Sequence, residues 1–452
     1  MINYKVLYLV IILTLILLLI PIKADINCLE LELGLRVSRL YQPVIHNYTI
    51  IIPTDSGILT LNLLSDEVYT LLNMSTHRLS LTLDNRLVGI SRTLNNTYVI
   101  IINNNSLVGI RFDPTSVLYD LLGLNNKVLL TGYVLTNTSY KLLLTEFNVS
   151  EVSLNSYIAN CTACYGRKIL RYGNSIFVVG SIYSRDPNYL WSYNVFVGRL
   201  DNNYLVGRYV GLEGDDEVVD TYVVNDNIYI IFNSRVLGLY IAVVNLEDLN
   251  ISTYRVLVND NLVRCTLTSV YGDDLFIVVN DLNTNYLLVL STSTLTTKVF
   301  NLGSSSALVV GGYLVLLDYN VSTLRNYFII CNITDFLRGV SMSGSSYVSL
   351  KPTKAYLTDL KLGITEHRVK YEVLNEYLTP KLVEAVFKTY TRGHVDSQTP
   401  PSDYVPTTQT LSRPLYEFRG REVLRISDTF LVLGVVLVIS SLILKYFMRV
   451  RS

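Results

Sequence analysis

Short apolar runs separated by polar clusters make up most of the chain, from about residue 40 to about residue 350. The runs have the length of β-strands and are rich in Val, Ile, Leu, Tyr and Thr, whereas Asn, Asp, Gly and Ser fill the clusters between them. No long stretch with the 3.6-residue periodicity of a helix interrupts this pattern. The pattern therefore predicts an all-β fold.

One unit of this pattern recurs: a polar turn followed by an apolar run of the kind found in strands buried on both faces. Copies begin at residues 48, 98, 128, 176, 228, 275 and 313. Their mean spacing of about 44 residues is typical of four-stranded propeller blades. Most copies are followed by a second apolar strand, as at residues 237–244, and then by an alternating third strand, as at residues 252–258.

This order of strands resembles the blades of β-propellers of the Kelch and quinoprotein-like kind. The resemblance rests on the pattern alone, because the chain lacks the Gly-His and Trp-Asp pairs of WD40 blades and a Gly-Gly doublet in each repeat. It implies a β-propeller of about seven blades over residues 25–360 and transfers no residue roles. Stacked β-sandwiches are the alternative, because strands at regular spacing suit both architectures.

Both ends of the chain carry long apolar segments. The first, after Lys5, predicts a signal peptide at residues 1–24 or, without cleavage, an N-terminal signal anchor. The second predicts one C-terminal transmembrane helix at residues 429–448, followed by a basic cytoplasmic tail at 449–452. We therefore expect a single-pass protein of the cell membrane with an extracellular N-terminal domain; a viral envelope or host membrane is the alternative location.

Two further segments lie between the expected propeller and the membrane. Within residues 361–390, Thr379 and Pro380 form a helix start, and Leu382, Val386 and Phe387 then fall on one helical face, which predicts a short packing helix. Residues 391–428 contain several prolines among Ser, Thr and Gln, which predicts an extended stalk and juxtamembrane segment.

The charge balance argues against nucleic acid as a partner. Lys and Arg total 37, Asp and Glu also total 37, and only 16% of residues are charged, so the chain has no basic footprint. The Leu-, Asn- and Tyr-rich composition resembles that of surface proteins of thermophilic archaea or their viruses. Expected partners are the membrane, a protein or carbohydrate at the cell surface, and further copies of the chain.

Exterior placement gives meaning to the Asn-X-Ser/Thr triplets, which permit N-glycosylation outside the cell. A chain so rich in Asn contains many such triplets by chance. We therefore interpret the triplets as sites at which glycosylation is permitted. The candidate glycosylation sites are Asn47, Asn73, Asn95, Asn104, Asn137, Asn148, Asn160, Asn250, Asn320 and Asn332.

Five cysteines in an oxidising compartment allow two disulfides and one leftover thiol. Cys161 and Cys164 form a CxxC pair, for which we predict a local loop disulfide; two separate bridges are the alternative. A zinc site is not expected, because the chain has no second CxxC and its four histidines are scattered.

The remaining candidate chemistry is sparse. Carboxylates at Glu213, Asp215, Asp216 and Glu217 form a candidate calcium site, for which a solvated turn is the alternative. No other cofactor is expected. The chain contains no nucleophile elbow, zinc-protease motif or phosphate loop, so we predict that it is not an enzyme.

Tyrosine is unusually abundant, with 34 residues against 13 Phe and one Trp. Tyrosine suits half-exposed sheets, and tyrosine-rich surfaces also bind proteins or sugars well. The leading hypothesis is a membrane-anchored extracellular binding or adhesion protein that presents a propeller on a stalk. A structural coat or envelope component is the alternative, and an extracellular enzyme is the third.

Overall fold

The computed structural model describes residues 26–392, apart from the internal segments 34–36, 48, 63–66, 73, 83–85, 104–105, 126, 138, 186–190, 213, 282–283, 304, 321–324, 340–346, 378–380 and 383–384. The predicted signal peptide, transmembrane helix and cytoplasmic tail lie outside the described residues, as does the stalk beyond residue 392. No helix among the residues that are described is long and apolar enough to cross a membrane.

The described chain consists almost entirely of strands. The first seventeen are β1 (Ile26–Leu33), β2 (Val44–His46), β3 (Thr49–Thr54), β4 (Gly57–Asn62), β5 (Glu67–Leu72), β6 (Thr76–Leu81), β7 (Leu87–Arg92), β8 (Thr97–Asn103), β9 (Ser106–Phe112), β10 (Ser116–Gly123), β11 (Lys127–Leu135), β12 (Tyr140–Asn148), β13 (Ser153–Ala159), β14 (Cys164–Tyr172), β15 (Ser175–Arg185), β16 (Trp191–Asp201) and β17 (Tyr204–Gly211). The remaining strands and the helix α1 are β18 (Asp216–Val224), β19 (Asn227–Ser234), β20 (Gly238–Asn245), β21 (Ile251–Val258), β22 (Asn261–Leu262), β23 (Arg264–Tyr271), β24 (Asp274–Asn280), β25 (Asn285–Ser291), β26 (Thr297–Gly303), β27 (Ser306–Val310), β28 (Tyr313–Asn320), β29 (Arg325–Asn332), α1 (Ile333–Gly339), β30 (Val348–Thr353), β31 (Tyr356–Glu366), β32 (Tyr371–Tyr377), β33 (Lys381–Leu382) and β34 (Ala385–Arg392).

Antiparallel pairing groups these strands into six sheets within the described part of the chain. Five sheets contain one four-stranded meander each, and a nine-stranded sheet contains two: β10–β13 and β14–β17, which β31 joins edge to edge. The first strands of neighbouring meanders lie against one another, as β10 does against β14 and β23 against β27. The sheets therefore form a propeller-like ring, which confirms the expected all-β propeller fold.

Buried apolar side chains fill each junction between neighbouring meanders, including the junction between the last meander and the first. Strand β19 shows why the recurrent runs are apolar at every position. Ile228 and Ile230 pack towards the preceding sheet, whereas Tyr229 and Ile231 pack towards the following one. A strand between two neighbours has no solvent-facing side, so the usual alternation of polar and apolar residues disappears.

The amino-terminal strand β1 closes the ring. It pairs with β29 and so adds the fourth strand to the meander that β27, β28 and β29 begin. Cys28 of β1 lies opposite Cys331 of β29 in this register, and a disulfide joins them. The last meander is therefore built from both ends of the described chain.

Strands β30–β34 lie around the outside of the ring, and we call these strands the belt. In order, they pair with β21, with β17 and β13, with β9, with β5 and with β1. Successive belt strands therefore pair with the meanders in the reverse of the order in which the meanders follow one another around the ring. Each contact covers the outer edge of a sheet, where unpaired backbone groups would otherwise face solvent.

Three expectations need correction. The predicted helix within 361–390 is wrong, because this segment contains β32, β33 and most of β34. Ala385–Arg392 is rich in Val, Phe, Thr and Tyr, which suit strands, and the edge of β1 supplies its partner. The boundary placed at residue 360 falls inside β31, and the expected stalk begins with the last two residues of β34. The run at residue 98 is the third strand of its meander, β8, whereas the other six runs are second strands.

Candidate functional site

The first strands of five meanders carry a β-bulge at equivalent positions in the described structure. The pairing register shifts across His77 in β6, Tyr119 in β10 and Arg167 in β14, and likewise across Val219 and Thr266 further along the ring. A bulge inserts one residue that has no partner in the ladder and redirects its side chain. Three neighbouring meanders thereby bring together an imidazole, a phenol and a guanidinium at one level of the ring.

Seven aromatic side chains form a continuous row beside these bulges, and we call it the aromatic row. Centroids of neighbouring rings lie 4.9–5.9 Å apart along it. Its members come from the starts of β10, β14, β12 and β16 and from the ends of β11 and β15, so the row lies at one end of two meanders. In spatial order they are Tyr140, Tyr133, Tyr119, Tyr165, Tyr193, Tyr183 and Trp191.

The two ends of the row are the parts most open to solvent. Trp191 is 52% exposed and Tyr140 is 41% exposed, whereas the rings between them are half-buried. Burial raises the pKa of the hydroxyls of Tyr133, Tyr165 and Tyr193 above the ordinary value. These hydroxyls therefore stay protonated at neutral pH and can donate hydrogen bonds to a ligand.

Two arginines lie over the middle ring of the row. The guanidinium carbons of Arg92 and Arg167 are each 4.4 Å from the Tyr119 ring centroid, within the range of cation–π attraction. Arg92, at the end of β7, also donates a hydrogen bond to the carbonyl of Leu118. Arg167 donates to the Glu217 carboxylate at 3.1 Å and to the Val218 carbonyl.

His77 and Tyr41 extend this surface beyond the arginines. Their rings lie 4.6 Å apart, and the His77 ring is within hydrogen-bonding distance of the Ser75 hydroxyl. Burial lowers the pKa of His77 to about 4, and the positive charges of Arg92, Arg167 and Arg39 contribute to the shift. His77 is therefore neutral near pH 7, and the electrostatic potential at this point is positive.

Beneath the bulges, four charges of alternating sign link four successive meanders; three are buried, and the fourth, Arg78, is half-buried. Arg78 contacts Asp120 at 2.5 Å, and Lys168 lies 3.9 Å from Asp120 and 2.7 Å from Asp220. Each of these four charged residues comes one position after the bulged residue in the first strand of its meander. Burial works to raise the pKa of Asp220, but the Lys168 and Arg78 cations outweigh it and hold that pKa below its ordinary value. We call this set the charge chain, and its mutual neutralisation gives it a structural role.

The acidic segment predicted as a calcium site does not gather its carboxylates. Asp215 accepts a hydrogen bond from the Tyr193 backbone, Asp216 is buried, and Glu217 points outward to Arg167. Glu213 lies outside the described residues. Within the described part of the chain, no three His, Cys, Asp or Glu side chains come close enough to hold a metal ion.

Cys161 and Cys164 form a disulfide in the connection between β13 and β14. The predicted local disulfide is therefore present, and both cysteines are buried against Leu142 and Ile182 in the junction between two meanders. Cys265 is a buried free thiol, and burial raises its pKa above the ordinary value.

The candidate glycosylation sites are spread over the ring. Five of them are exposed: Asn47, Asn95, Asn137, Asn160 and Asn250. Asn148 and Asn332 are half-buried, and the Asn332 side-chain oxygen accepts hydrogen bonds from the first turn of α1 as its N-cap. Asn73 and Asn104 lie outside the described residues, and the side chain of Asn320 is not described. Glycosylation at these positions stays a prediction.

Comparison with known proteins yields distant likenesses to solved structures. No family model matches the chain, and no curated protein matches it. A solved structure described as the "AfRom2 CNH domain" is similar in fold, with a TM-score of 0.39 and 10% sequence identity. The match covers 66% of this chain and 94% of that one.

Sequence reasoning noted the abundance of tyrosine but missed Arg92, Arg167 and His77. Their signal lies in the repeats. When the first strands are aligned on their bulges, His77, Tyr119 and Arg167 occupy the same column, and the next column contains Arg78, Asp120 and Lys168. Aligning the second strands alone does not expose this column.

Proposed function

We propose that the chain is a membrane-anchored extracellular binding protein whose propeller-like ring recognises a protein partner through the aromatic row. The aromatic row carries this proposal. Tyr, Trp and Arg are the residue types enriched at binding hot spots, and here they form one continuous surface. Tyrosine also provides contact area at a low cost in conformational entropy. The proposal assigns no reaction to the chain.

The arrangement of the rings favours a protein over a carbohydrate. A sugar that stacks on an aromatic side chain needs an open ring face. Here, Tyr183 stacks against Trp191 with planes 21° apart, and two guanidiniums lie over Tyr119. The inner rings therefore offer edges and hydroxyls, which suit the mixed polar and apolar surface of a protein.

Membrane anchorage is the second part of the proposal, and the apolar segment at residues 429–448 supports it. Protease added outside intact cells is expected to digest the ring and leave a small carboxyl-terminal fragment in the membrane. A chain that is fully protected, or that is released with no membrane fragment, would contradict this placement.

Binding is tested with proteoliposomes that carry the full-length chain, applied to cells of the source organism. We expect Trp191→Ala and Tyr140→Ala to weaken cell binding about tenfold or more, as hot-spot truncations do. Tyr204→Ala is the matched control, because Tyr204 is similarly exposed at 47% but lies outside the row.

Pretreatment of the cells separates the partner classes. Protease should abolish binding, whereas glycosidase should not. Loss of binding after glycosidase alone would favour a carbohydrate ligand and contradict a protein partner. Clustering of the proteoliposomes with one another, in the absence of cells, would favour the alternative of a self-associating coat.

A further inference from the structure

Arg92 is a cation without an anionic partner in this part of the ring. No carboxylate lies within salt-bridge distance of its guanidinium among the described residues, and its buried Nε has no hydrogen-bond acceptor there. Its contacts are the Leu118 carbonyl and the Tyr119 ring. A half-buried charge whose bonding capacity is not filled is costly to maintain. Such a cost is offset when a ligand supplies the missing anion.

The surroundings of Arg92 do not supply that anion. Asp55 is engaged by the Ser38 hydroxyl and by the backbone amides of Ser38 and Arg39. Glu217 is paired with Arg167 and is itself 64% exposed. Three guanidiniums, those of Arg39, Arg92 and Arg167, therefore face two carboxylates that already have partners.

We propose that the protein partner presents an acidic segment, and that one of its carboxylates binds Arg92 beside Tyr119 and His77. This inference rests on the proposed function and names the chemistry of the partner. Charge complementarity is the argument: the row supplies contact area on one side, and the arginines supply an unneutralised positive potential on the other. A carboxylate placed here would accept charge-assisted hydrogen bonds from the guanidinium.

The probe is a pair of synthetic peptide pools, one with Asp and Glu at fixed positions and one with Asn and Gln at the same positions. Binding to the full-length chain in detergent micelles is followed by fluorescence anisotropy. The acidic pool should bind more tightly, and its affinity should fall as salt is added. An acidic oligosaccharide, polygalacturonate, forms a third arm.

Arg92→Gln should weaken binding of the acidic pool by about 10- to 100-fold, the usual value of a charge-assisted hydrogen bond. Arg39→Gln is a second variant, because Arg39 is exposed and substitutions of exposed residues usually change stability little; we expect a smaller loss in the same direction. Arg199→Gln is the matched control, an exposed arginine at the far end of β16.

The inference fails if the amide pool binds as tightly as the acidic pool, if only the oligosaccharide binds, or if both arginine variants behave like Arg199→Gln. These failures differ from a failure of the proposed function. If Trp191→Ala still weakens cell binding while no acidic preference is found, the aromatic row is the binding surface and only the acidic partner is wrong.

Discussion

Cys28 and Cys331 lie directly opposite each other in the paired strands β1 and β29, and their disulfide crosses the seam at which the ring closes. Hydrogen bonds and packing alone would let β1 separate from β29 and open the ring at this point. The disulfide converts this seam into a covalent link between residues 303 positions apart in the sequence.

Removing this disulfide should destabilise the chain much more than removing the local one. In the chain-entropy account, closing a loop of this length contributes about 6 kcal/mol, against about 2 kcal/mol for a very short loop. We therefore expect Cys28→Ala/Cys331→Ala to lower the unfolding midpoint in guanidinium far more than Cys161→Ala/Cys164→Ala does. Alanine avoids placing a hydroxyl in either buried site. Equal losses from the two double variants would show that the closing disulfide has no special role.

Asp120 should be the most sensitive member of the charge chain. It is fully buried, contacts Arg78 and accepts a hydrogen bond from the Ile169 backbone. Asp120→Asn leaves the half-buried Arg78 and the buried Lys168 with too little negative charge, which should lower the free energy of unfolding by about 3–5 kcal/mol. Asp359→Asn is the control, because Asp359 is 95% exposed in its contact with Arg208 and should change stability by less than about 1 kcal/mol. Similar unfolding midpoints for the two variants would contradict this.

Asp216 should make stability fall as the pH rises towards neutrality. Burial raises its pKa from 3.8 to about 7, and the nearby Asp215 carboxylate adds to the shift. The folded state therefore binds a proton that the unfolded state releases, so the stabilising contribution is complete below pH 3.8 and is lost as the pH passes 7.

The comparison that isolates this group is the pH profile of unfolding for the wild-type chain and for Asp216→Asn. Asparagine has nearly the same shape as aspartate and cannot ionise. Between pH 4 and pH 8, the free energy of unfolding of the variant should therefore rise by on the order of 2–4 kcal/mol relative to that of the wild type. Parallel profiles would mean that Asp216 does not titrate in this range.

Gly180 should tolerate no side chain. It lies in β15 beside the bulge at Arg167, and a Cβ there would be 2.0 Å from the Tyr165 carbonyl oxygen. Because a backbone atom cannot move aside as a flexible side chain can, Gly180→Ala should cost roughly 1–3 kcal/mol or distort the bulge. Gly363→Ala is the matched control in a strand, since a Cβ at Gly363 meets no atom within 4 Å. Thermal unfolding that is unchanged by both substitutions would contradict the close approach.

The second strands were predictable from the sequence because burial on both faces makes their residues apolar at consecutive positions. Ile228 to Phe232 is apolar at every position since both faces are covered. The belt strands lack such runs of consecutive apolar residues. Most of Tyr356–Glu366 is exposed or half-buried, so its apolar residues are scattered, and only pairing with β17 and β13 makes it a strand. The same holds for Ala385–Arg392. Its apolar residues are spaced as they would be on one face of a helix, and only pairing with the edge of β1 makes it a strand.

The candidate site was predictable only in part. Tyr133 and Tyr140 lie on either side of the β11–β12 connection, and Tyr183 and Trp191 lie on either side of the β15–β16 connection. Two short pieces of the aromatic row can therefore be predicted from positions that are close in the sequence. The contact between Tyr119 and Tyr165 depends on how two neighbouring meanders pack, and local spacing does not encode it. The disulfide between Cys28 and Cys331 could not be predicted from the sequence, because it depends on the pairing of β1 with β29 that closes the ring.

The belt also determines how the ring responds to tension. A pull on the carboxyl end of the chain enters the ring at β34, the last belt strand, whose eight register pairs with β1 must part before the pull reaches β33. Because β1 is tied covalently to β29, tension passes at once into the closing meander and spares the belt contacts with the other sheets. A chain pulled at this end would therefore load the covalently closed meander first, and β34 would have to separate from β1 before any other belt strand leaves its sheet.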